Sequence, residues 1–449
     1  MSCDQISAVS PACRGRPTSE VDNGGVQRRR DFLGWRIVWA LAITTTVNYG
    51  VLLYAFAVIL PPMRHDLHAS LGVLSAGVSI AIAVSGVAAP AVGAWLDHHG
   101  ARGLMAFGSV LAAVSVVGWS QSRTLPELYV SFVGIGLASA AVLYDAAFAV
   151  IAVWFVRQRN AALLTTTVVA GFASTIFLPL TQTLVDALGW RGAVLVLAGM
   201  CALTAVPHAI LIRRAPGDVG LAPDGDDPGD APSAAPQLQH VNPLRHLRDP
   251  ALRDALRLPT VRWLTASSVV LTTGVTVVIV YLVSYLRDHG YSAHAAAIGA
   301  GAIGILSVTG RIVLTSAARR LRMARVAAAM VAGQVLGVVA LATLPRPFGL
   351  IAFVLAFGAG YGVMTIARAA LLAGYVPTGV FARVSGVQAM VIDVGRVAAP
   401  VAVGALIAWT GGYAVMLVVV VASSAFAALA LLVCDRRDRA PDAIPVPVT

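Results

Sequence analysis

The sequence predicts an all-α polytopic membrane protein with twelve transmembrane helices, arranged as two pseudo-symmetric six-helix bundles. Composition is the first reason: 58% of the 449 residues are hydrophobic and only 12% are charged, which excludes an ordinary soluble protein. The second reason is an internal repeat, because six pairs of glycines are each 224 residues apart, where about two are expected by chance. The pairs are Gly50 and Gly274, Gly77 and Gly301, Gly86 and Gly310, Gly134 and Gly358, Gly136 and Gly360, and Gly171 and Gly395. The second half of the chain is therefore expected to repeat the fold of the first.

Twelve apolar stretches are long enough to cross a bilayer, for which about 20 residues are needed. They are predicted near residues 37–60, 71–96, 104–122, 128–153, 161–185, 193–212, 263–286, 295–317, 326–344, 348–373, 385–408 and 413–433. A stretch rich in Pro, Gly and Asp, typical of a flexible linker, separates the sixth from the seventh. The predicted organisation is a disordered cytoplasmic tail (1–34), an N-terminal six-helix bundle (35–213), a cytoplasmic linker (214–260), a C-terminal six-helix bundle (261–434) and a cytoplasmic tail (435–449).

The distribution of arginine predicts the orientation, since the chain contains no lysine. Of the 32 basic residues, 24 lie in the tails and in the loops on one side of the membrane, and five lie in the loops on the other. Basic residues favour the cytoplasmic side, so we expect a multi-pass protein of the bacterial inner membrane with both termini in the cytoplasm. The net charge of +11 is then assigned to contact with anionic lipid headgroups, and not with nucleic acid.

The segment between the second and third predicted spans reads GAWLDHHGAR, residues 93–102. It resembles the signature loop of the major facilitator superfamily, G-x-x-x-D-(R/K)-x-G-(R/K), which implies that superfamily's fold and a gating role for the loop. The gating residues are then Gly93, Asp97, Gly100 and Arg102, with Arg157 as a further partner for the aspartate. His98 replaces the usual basic residue, and the equivalent segment of the second half, 316–322, lacks both the glycine and the aspartate. We therefore expect one recognisable gating loop, in the first half.

A second group of residues lies in spans four to six and in span eight. It consists of Tyr144-Asp145, Trp154-Phe155, Arg157-Gln-Arg159-Asn-Ala161, Gly171, Pro179, Gly189-Trp190-Arg191 and Gly310-Arg311. This pattern resembles bacterial members of the superfamily near the monocarboxylate porter family. Those porters pair an arginine of span eight with an aspartate one helical turn earlier. Here Arg311 matches the arginine but Ser307 stands one turn earlier, so any counter-ion must come from elsewhere.

Five ionisable residues lie well inside predicted spans, namely Asp145, Arg311, Arg368, Asp393 and Arg396. A charge at the centre of the bilayer costs about 2.5–3.5 kcal/mol on insertion scales, so each should face a cavity or a partner. Their counterparts in the other half are uncharged, so the repeated scaffold does not require these charges. We predict that Arg311 and Arg368 bind substrate, and that Asp145 and Asp393 take part in proton coupling. The alternatives are a structural ion pair for Arg311, a gate or headgroup contact for Arg368, and a local pair between Asp393 and Arg396. For Asp145 they are pairing with an arginine across the cavity or a polar helix contact.

Polar and aromatic residues of other spans are predicted to add specificity. In the superfamily spans one, seven and ten line the cavity, and from these spans we select Asn48, Tyr49, Tyr281 and Tyr361 as further substrate contacts. Tyr54 and Tyr285 lie in the same spans. The alternative for each residue is packing, or anchoring at the membrane interface.

Duplicated halves and buried charges together predict a secondary active transporter that works by alternating access. Three buried arginines against two aspartates leave one net positive charge, which favours a small organic anion, with a monocarboxylate as the class that the resemblance implies. Coupling to protons or to exchange of another anion is expected. The alternative is a proton-coupled efflux pump for a drug or other toxic compound.

The sequence does not predict an enzyme. We find no nucleophile–base constellation, no metal-ligand spacing and no phosphate-binding loop, and so expect no cofactor and no metal site. The expected partners are a small anionic molecule and the lipid bilayer, and the protein is expected to be a monomer.

Overall fold

The computed structural model describes residues 32–225 and 250–437, and every regular element in this part of the chain is a helix. Eleven apolar segments of the described residues are long enough to span a membrane. One of them, Arg159–Leu211, consists of two spans that meet at Gly189, whose φ of 69° and ψ of 168° lie outside the helical region. The twelve-helix fold predicted from the sequence is therefore confirmed.

The spans are labelled α1 to α12 in chain order. The first half contains α1 (Leu33–Leu67), α2 (Leu71–His99), α3 (Ala101–Gln121), α4 (Leu125–Trp154), α5 (159–188) and α6 (190–211). The second half contains α7 (Pro259–Asp288), α8 (Ala293–Ala317), α9 (Met323–Thr343), α10 (Phe348–Tyr375), α11 (Thr378–Thr410) and α12 (Ala414–Arg437). A short helix before α7, Pro250–Arg257, is called the linker helix.

Serine side chains cap two equivalent helices. Ser70 accepts a hydrogen bond from the backbone N–H of Val73 at the start of α2, and Ser292 accepts one from Ala295 at the start of α8. Such caps satisfy N–H groups that have no partner within the helix. Because α2 and α8 are the second helices of their halves, the internal repeat extends to the way in which these helices begin.

The packing of the helices follows the same repeat. In the first half α2 packs on α4 and α3 packs on α6, while in the second half α8 packs on α10 and α9 packs on α12. Between the halves, α2 packs on α11 and α5 packs on α8, and α1 contacts α7. Exchanging the two halves therefore maps each of these interfaces onto its counterpart, as expected for two pseudo-symmetric bundles.

The two halves touch on one side of the membrane and separate on the other. We call the side on which α1 begins and α12 ends the terminus side, and the opposite one the far side. On the far side, Gly72 of α2 lies against the backbone of Gly404 and Ala405 of α11. Gly86 of α2 and Met390 of α11 each lie fourteen residues closer to the terminus side. A Cβ atom added to Gly86 would have no neighbour within 4 Å, and the side chain of Met390 is 64% exposed. The cavity between the halves therefore opens towards the terminus side.

Besides α5, which is interrupted at Gly171 and Phe172, three spans are interrupted near the middle of the membrane. A π-helical turn, Gly50–Tyr54, lies within α1, while α4 breaks at Leu143 and α10 breaks at Gly362. Irregular backbone at membrane depth is tolerated where it lines a cavity, and π-helical turns are frequent at functional sites. The sequence does not predict these interruptions, because no proline marks them.

The segment after α6 differs from the flexible linker that its composition predicts. Asp224 is only 6% exposed, and its carboxylate accepts hydrogen bonds from the backbone N–H groups of Val156, Arg157 and Gln158 at 3.0, 2.8 and 3.1 Å. The start of the linker is thus fastened to the loop between α4 and α5, a long-range contact that a Pro- and Gly-rich composition does not reveal. The rest of the predicted linker, 226–249, lies outside the described residues, as do 1–31 and 438–449 of the predicted tails.

The C-terminal bundle extends beyond its predicted limits at both ends. Asp435, assigned to the tail from the sequence, lies in α12, is 4% exposed, and pairs with Arg322 at 3.1 Å and Arg325 at 2.8 Å. The linker helix buries Leu252 in the core of the second half. Among the described residues, the helices that pack in this bundle therefore include the linker helix and continue to Arg437.

Candidate functional site

Charged side chains from both halves meet in the cavity. On α11, Arg396 Nη1 lies 3.0 Å from Asp393 Oδ1, so these residues form an ion pair within one helical turn. Asp145, on α4 of the other half, interacts electrostatically with both of them. Arg368 of α10 interacts with Asp393, and its buried Nη1 has no hydrogen-bond partner among the described residues. The structure therefore brings together four of the five charges singled out in the sequence.

Arg311 of α8 is the fifth charge, and it has no acidic partner among the described residues. Among the described residues, no carboxylate oxygen lies within 4.0 Å of its guanidinium nitrogens. Its Nη1 makes one long hydrogen bond of 3.4 Å to the carbonyl oxygen of Thr167 on α5, and its buried Nε has no partner in the same part of the chain. Since a guanidinium has five N–H donors, donors remain for an anionic ligand.

Gly362, at the break in α10, makes room for Arg311. A Cβ atom at this position would lie 2.5 Å from both Arg311 Nε and Ser307 Oγ, closer than real Cβ atoms approach their neighbours. Ser307, one turn before Arg311, is itself buried and its hydroxyl has no partner among the described residues. The glycine and the helix break thus set the position of the arginine that the resemblance singled out.

Asp145 lies in the first turn of the half-helix Tyr144–Trp154, directly after the break in α4. Protein surrounds this residue at membrane depth, yet its side chain is exposed to the cavity. It forms no ion pair within 4.0 Å among the described residues. An exposed and unpaired carboxyl is placed to exchange a proton with water in the cavity.

Two tyrosines join the halves beside Arg311. Tyr54 belongs to the π-helical turn of α1 and Tyr361 directly precedes the break in α10, and their hydroxyl oxygens lie 3.1 Å apart. Both tyrosines interact electrostatically with Arg311. The π-helical turn of α1 and the break in α10 therefore meet at the interface of the two halves, where the two tyrosine hydroxyl groups are within hydrogen-bond distance.

A further aromatic group lies beside Asp145. The ring of Tyr144 lies 4.7 Å from that of Tyr49 on α1 and 5.0 Å from that of Phe148 on α4, measured between centroids. All three side chains are half-buried. Sequence reasoning selects Tyr49 but misses Tyr144 and Phe148 as site residues. The sequence does contain a signal that could have identified these two residues. They are four residues apart, which places them on one helix face, and they flank an intramembrane aspartate.

Two of the predicted substrate contacts are fully buried in the protein. Tyr281 donates its hydroxyl hydrogen bond to the carbonyl oxygen of Pro400, so it packs between α7 and α11 instead of lining the cavity. Asn48 is also fully buried, and neither atom of its side-chain amide has a hydrogen-bond partner among the described residues. Their role as substrate contacts stays a prediction, because the sequence identifies the helix of Tyr281 but not the face that α7 turns towards the cavity.

Comparison with known proteins decides the family, since the model of the Major Facilitator Superfamily matches residues 38–400. The chain belongs to the major facilitator superfamily. This transporter is 28% identical over 392 residues to monocarboxylate transporter 13 of Bos taurus, covering 86% of the chain and 85% of the relative. It is 30% identical over 183 residues to monocarboxylate transporter 11 of Mus musculus, where the match covers 40% of each chain. The predicted superfamily and the resemblance to monocarboxylate porters are confirmed.

Solved structures of transporters share the fold of this one. A bacterial homologue of the human lysosomal transporter Spinster, in an inward-facing and occupied conformation, is similar with a TM-score of 0.68 at 14% identity, over 91% of this chain and 99% of that chain. A D-xylose–proton symporter is similar with a TM-score of 0.66 at 14% identity, over 88% of this chain and 97% of that chain. Identities this low establish the fold alone.

The residues predicted to take part in gating lie on the terminus side. Gly93 lies within α2, and Gly100 forms the turn to α3 with a φ of 76°, which favours glycine. The side chain of Asp97 lies outside the part of the chain that the structure describes. Arg102, expected to pair with Asp97, donates from Nε to the carbonyl oxygen of Ala209 at 2.6 Å. This bond fastens α3 to α6 within the first half of the transporter.

Proposed function

We propose that the transporter carries a small organic anion of the monocarboxylate class by alternating access of its two halves, coupled to protons or to exchange of another anion. The observation that supports this most directly is the guanidinium of Arg311, which reaches the interface of the halves without an acidic partner among the described residues. Arg368 adds a second guanidinium, whose buried Nη1 has no partner in the same part of the chain. A planar guanidinium binds a carboxylate through two parallel hydrogen bonds.

The charges of the cavity favour an anion over a neutral or cationic compound. Asp393 and Arg396 neutralise each other at 3.0 Å, which leaves Arg311 and Arg368 against the single carboxylate of Asp145. An unpaired charge within a membrane costs about 2.5–3.5 kcal/mol on insertion scales, and a bound carboxylate offsets part of that cost. The similarity to monocarboxylate transporters 13 and 11 supports the same class of substrate.

Asp145 is the carboxyl that we assign to proton coupling, with Asp393 as its partner across the cavity. Asp145 is exposed to the cavity, while Asp393 is held by Arg396. Protonation of Asp145 removes one negative charge from the cavity, and this makes the cavity more favourable for an anionic substrate. Given the predicted cytoplasmic termini, the cavity in this state faces the cytoplasm.

The efflux alternative has less support. In that function Arg311 would be neutralised by Asp145 or Asp393, so that a cationic or amphipathic compound is not repelled. Instead, Asp393 pairs with Arg396, and Arg311 contacts a backbone carbonyl at 3.4 Å. Asp145 is the one acidic group at the site that could attract a cation, and the guanidinium groups of Arg311 and Arg368 outweigh it.

The test is uptake of a labelled monocarboxylate panel into proteoliposomes under an imposed inward proton gradient. We expect saturable uptake by the wild type and a loss of at least about tenfold in Arg311→Ala, because hydrogen bonds to charged groups contribute about 1.5–3 kcal/mol. Arg319→Ala is the matched control, since Arg319 lies beyond the end of α8 and should not affect uptake. Absence of carboxylate uptake by the folded wild type would refute the proposal and leave efflux as the function to test.

A further inference from the structure

Aromatic side chains are concentrated at the site beyond what binding of a carboxylate requires. The whole chain has ten tyrosines, and four of them lie around Arg311 and Asp145 together with one phenylalanine. They are Tyr49, Tyr54, Tyr144, Tyr361 and Phe148. Both halves of the transporter contribute to this group. We propose that the site selects carboxylates that carry an aromatic ring, a proposal that rests on the proposed function, in which Arg311 binds the carboxylate.

Tyr144 and Phe148 form the face on which such a ring would lie. Their rings are stacked, with centroids 5.0 Å apart and an interplanar angle of 22°, and both side chains remain half-buried. Tyr49 adds a third ring, tilted by 46° to that of Tyr144. Faces and edges of aromatic rings attract other rings through their quadrupoles, in offset-stacked or edge-to-face arrangements, and an aliphatic chain gains no such contribution.

The break in α4 is what presents this face. Because the helix restarts at Tyr144, the first turn of the new half-helix carries Tyr144 and Asp145, and Phe148 follows one turn later on the side of Tyr144. Asp145 is exposed to the cavity, which shows that this turn borders open space and not a packed core. The aromatic pair therefore lies at the wall of the cavity, where a ligand can reach it.

The aromatic wall and the arginine belong to one site. Tyr361 directly precedes Gly362, where a Cβ atom would lie 2.5 Å from Arg311 Nε, and Tyr144 of the other half is close enough to interact electrostatically with both Arg311 and Tyr361. A ligand with its carboxylate on Arg311 then directs its other end towards the rings. On the far side, the hydroxyl contact between Tyr54 and Tyr361 closes the space, so the ligand is held between the arginine and the aromatic side chains.

The experiment compares benzoate with cyclohexanecarboxylate, which has the same number of carbon atoms and the same carboxylate but no aromatic ring. Each is tested as a competitor of labelled-carboxylate uptake and as a stabiliser of the purified transporter against heat. An aromatic pair contributes about 0.5–1.5 kcal/mol, so we expect benzoate to bind about two- to twelvefold more tightly than its saturated analogue.

The variants Tyr144→Leu and Phe148→Leu keep an apolar surface but remove a ring. Each should bring the ratio of the two affinities close to one while leaving the affinity for cyclohexanecarboxylate nearly unchanged. Phe107→Leu is the control, because Phe107 is 63% exposed on α3 and should leave the ratio as in the wild type. The wild-type comparison needs no variant, so the proposal stays testable even if a substitution impairs folding.

The outcomes separate this inference from the function on which it rests. Equal binding of the two compounds by the wild type, or tighter binding of the saturated one, would overturn the aromatic preference while leaving carboxylate transport intact. A preference that survives both Leu substitutions would also overturn it. Binding of neither compound, together with no uptake of any other carboxylate, would refute the proposed function and this inference with it.

Discussion

We expect the substitution Gly72→Ala to open the far side of the transporter. Gly72 of α2 meets Gly404 and Ala405 of α11 where the two halves are in contact. A Cβ atom at residue 72 would lie 2.8 Å from the backbone nitrogen of Ala405 and 3.0 Å from the carbonyl carbon of Gly404. Both neighbours are backbone atoms, so no side-chain rotation can relieve the clash, and the two helices must move apart.

The size of the effect follows from the cost of overpacking. Adding a methyl group to a close-packed interface costs about 1–3 kcal/mol, and this cost applies only while the far side is closed. When α2 and α11 separate there, the added methyl group meets no backbone. The equilibrium between the two conformations should therefore shift by about 5- to 150-fold towards the state that opens to the far side.

The shift can be measured as a distance between spin labels on far-side loops, in a background that lacks the four native cysteines. Suitable positions are Arg123→Cys and Leu344→Cys, both exposed and located in opposite halves. We expect the population with the longer distance to increase in Gly72→Ala. Gly86→Ala on the same helix is the matched control, since a Cβ there meets nothing within 4 Å. Identical distance distributions for both variants would show that the far-side contact does not control the conformation.

Two further predictions concern the site and the linker. Gly362→Ala should weaken carboxylate binding about tenfold, because its Cβ would displace Arg311 and Ser307, whereas Gly374→Ala on the same helix has open space and should bind as the wild type. Equal affinity in both variants would mean that α10 does not position the arginine. Asp224→Ala should lower the free energy of unfolding by about 2–4 kcal/mol, because three backbone N–H groups lose a charged acceptor. Thermal unfolding tests this against Asp218→Ala, an exposed aspartate with one bond to a turn, and equal melting temperatures would contradict it.

The structure also explains why some of the sequence-based predictions hold and others do not. The breaks in α4 and α10 carry no proline, so hydropathy alone predicts one continuous helix for each of these spans. The same pattern cannot show that Tyr144 begins a half-helix. The composition around Asp224 is typical of a flexible linker, although its carboxylate is satisfied by a loop 66 residues away.

The sequence by itself determined the helical membrane fold, the repeat and the identity of the charged residues within the spans. These features are local or periodic: in lipid every backbone N–H and C=O must be satisfied within a helix, so about 20 apolar residues suffice to specify a span. The same reasoning marks an intramembrane charge as functional, because its cost must be offset. Arg311 and Asp145 are therefore recognisable as site candidates from their positions in the sequence.

Only the tertiary structure decided how those charges are partnered and which side of the cavity is closed. Arg396 lies 3.0 Å from Asp393, while Arg311 has no acidic partner among the described residues. Tyr281 packs against Pro400, whereas Tyr361 contacts Tyr54. Apart from the pair on α11, these outcomes depend on the relative positions of helices that are more than a hundred residues apart in the chain. A hydrogen bond or ion pair is gained or lost within about 1 Å, and only the packing of the two halves fixes distances on that scale.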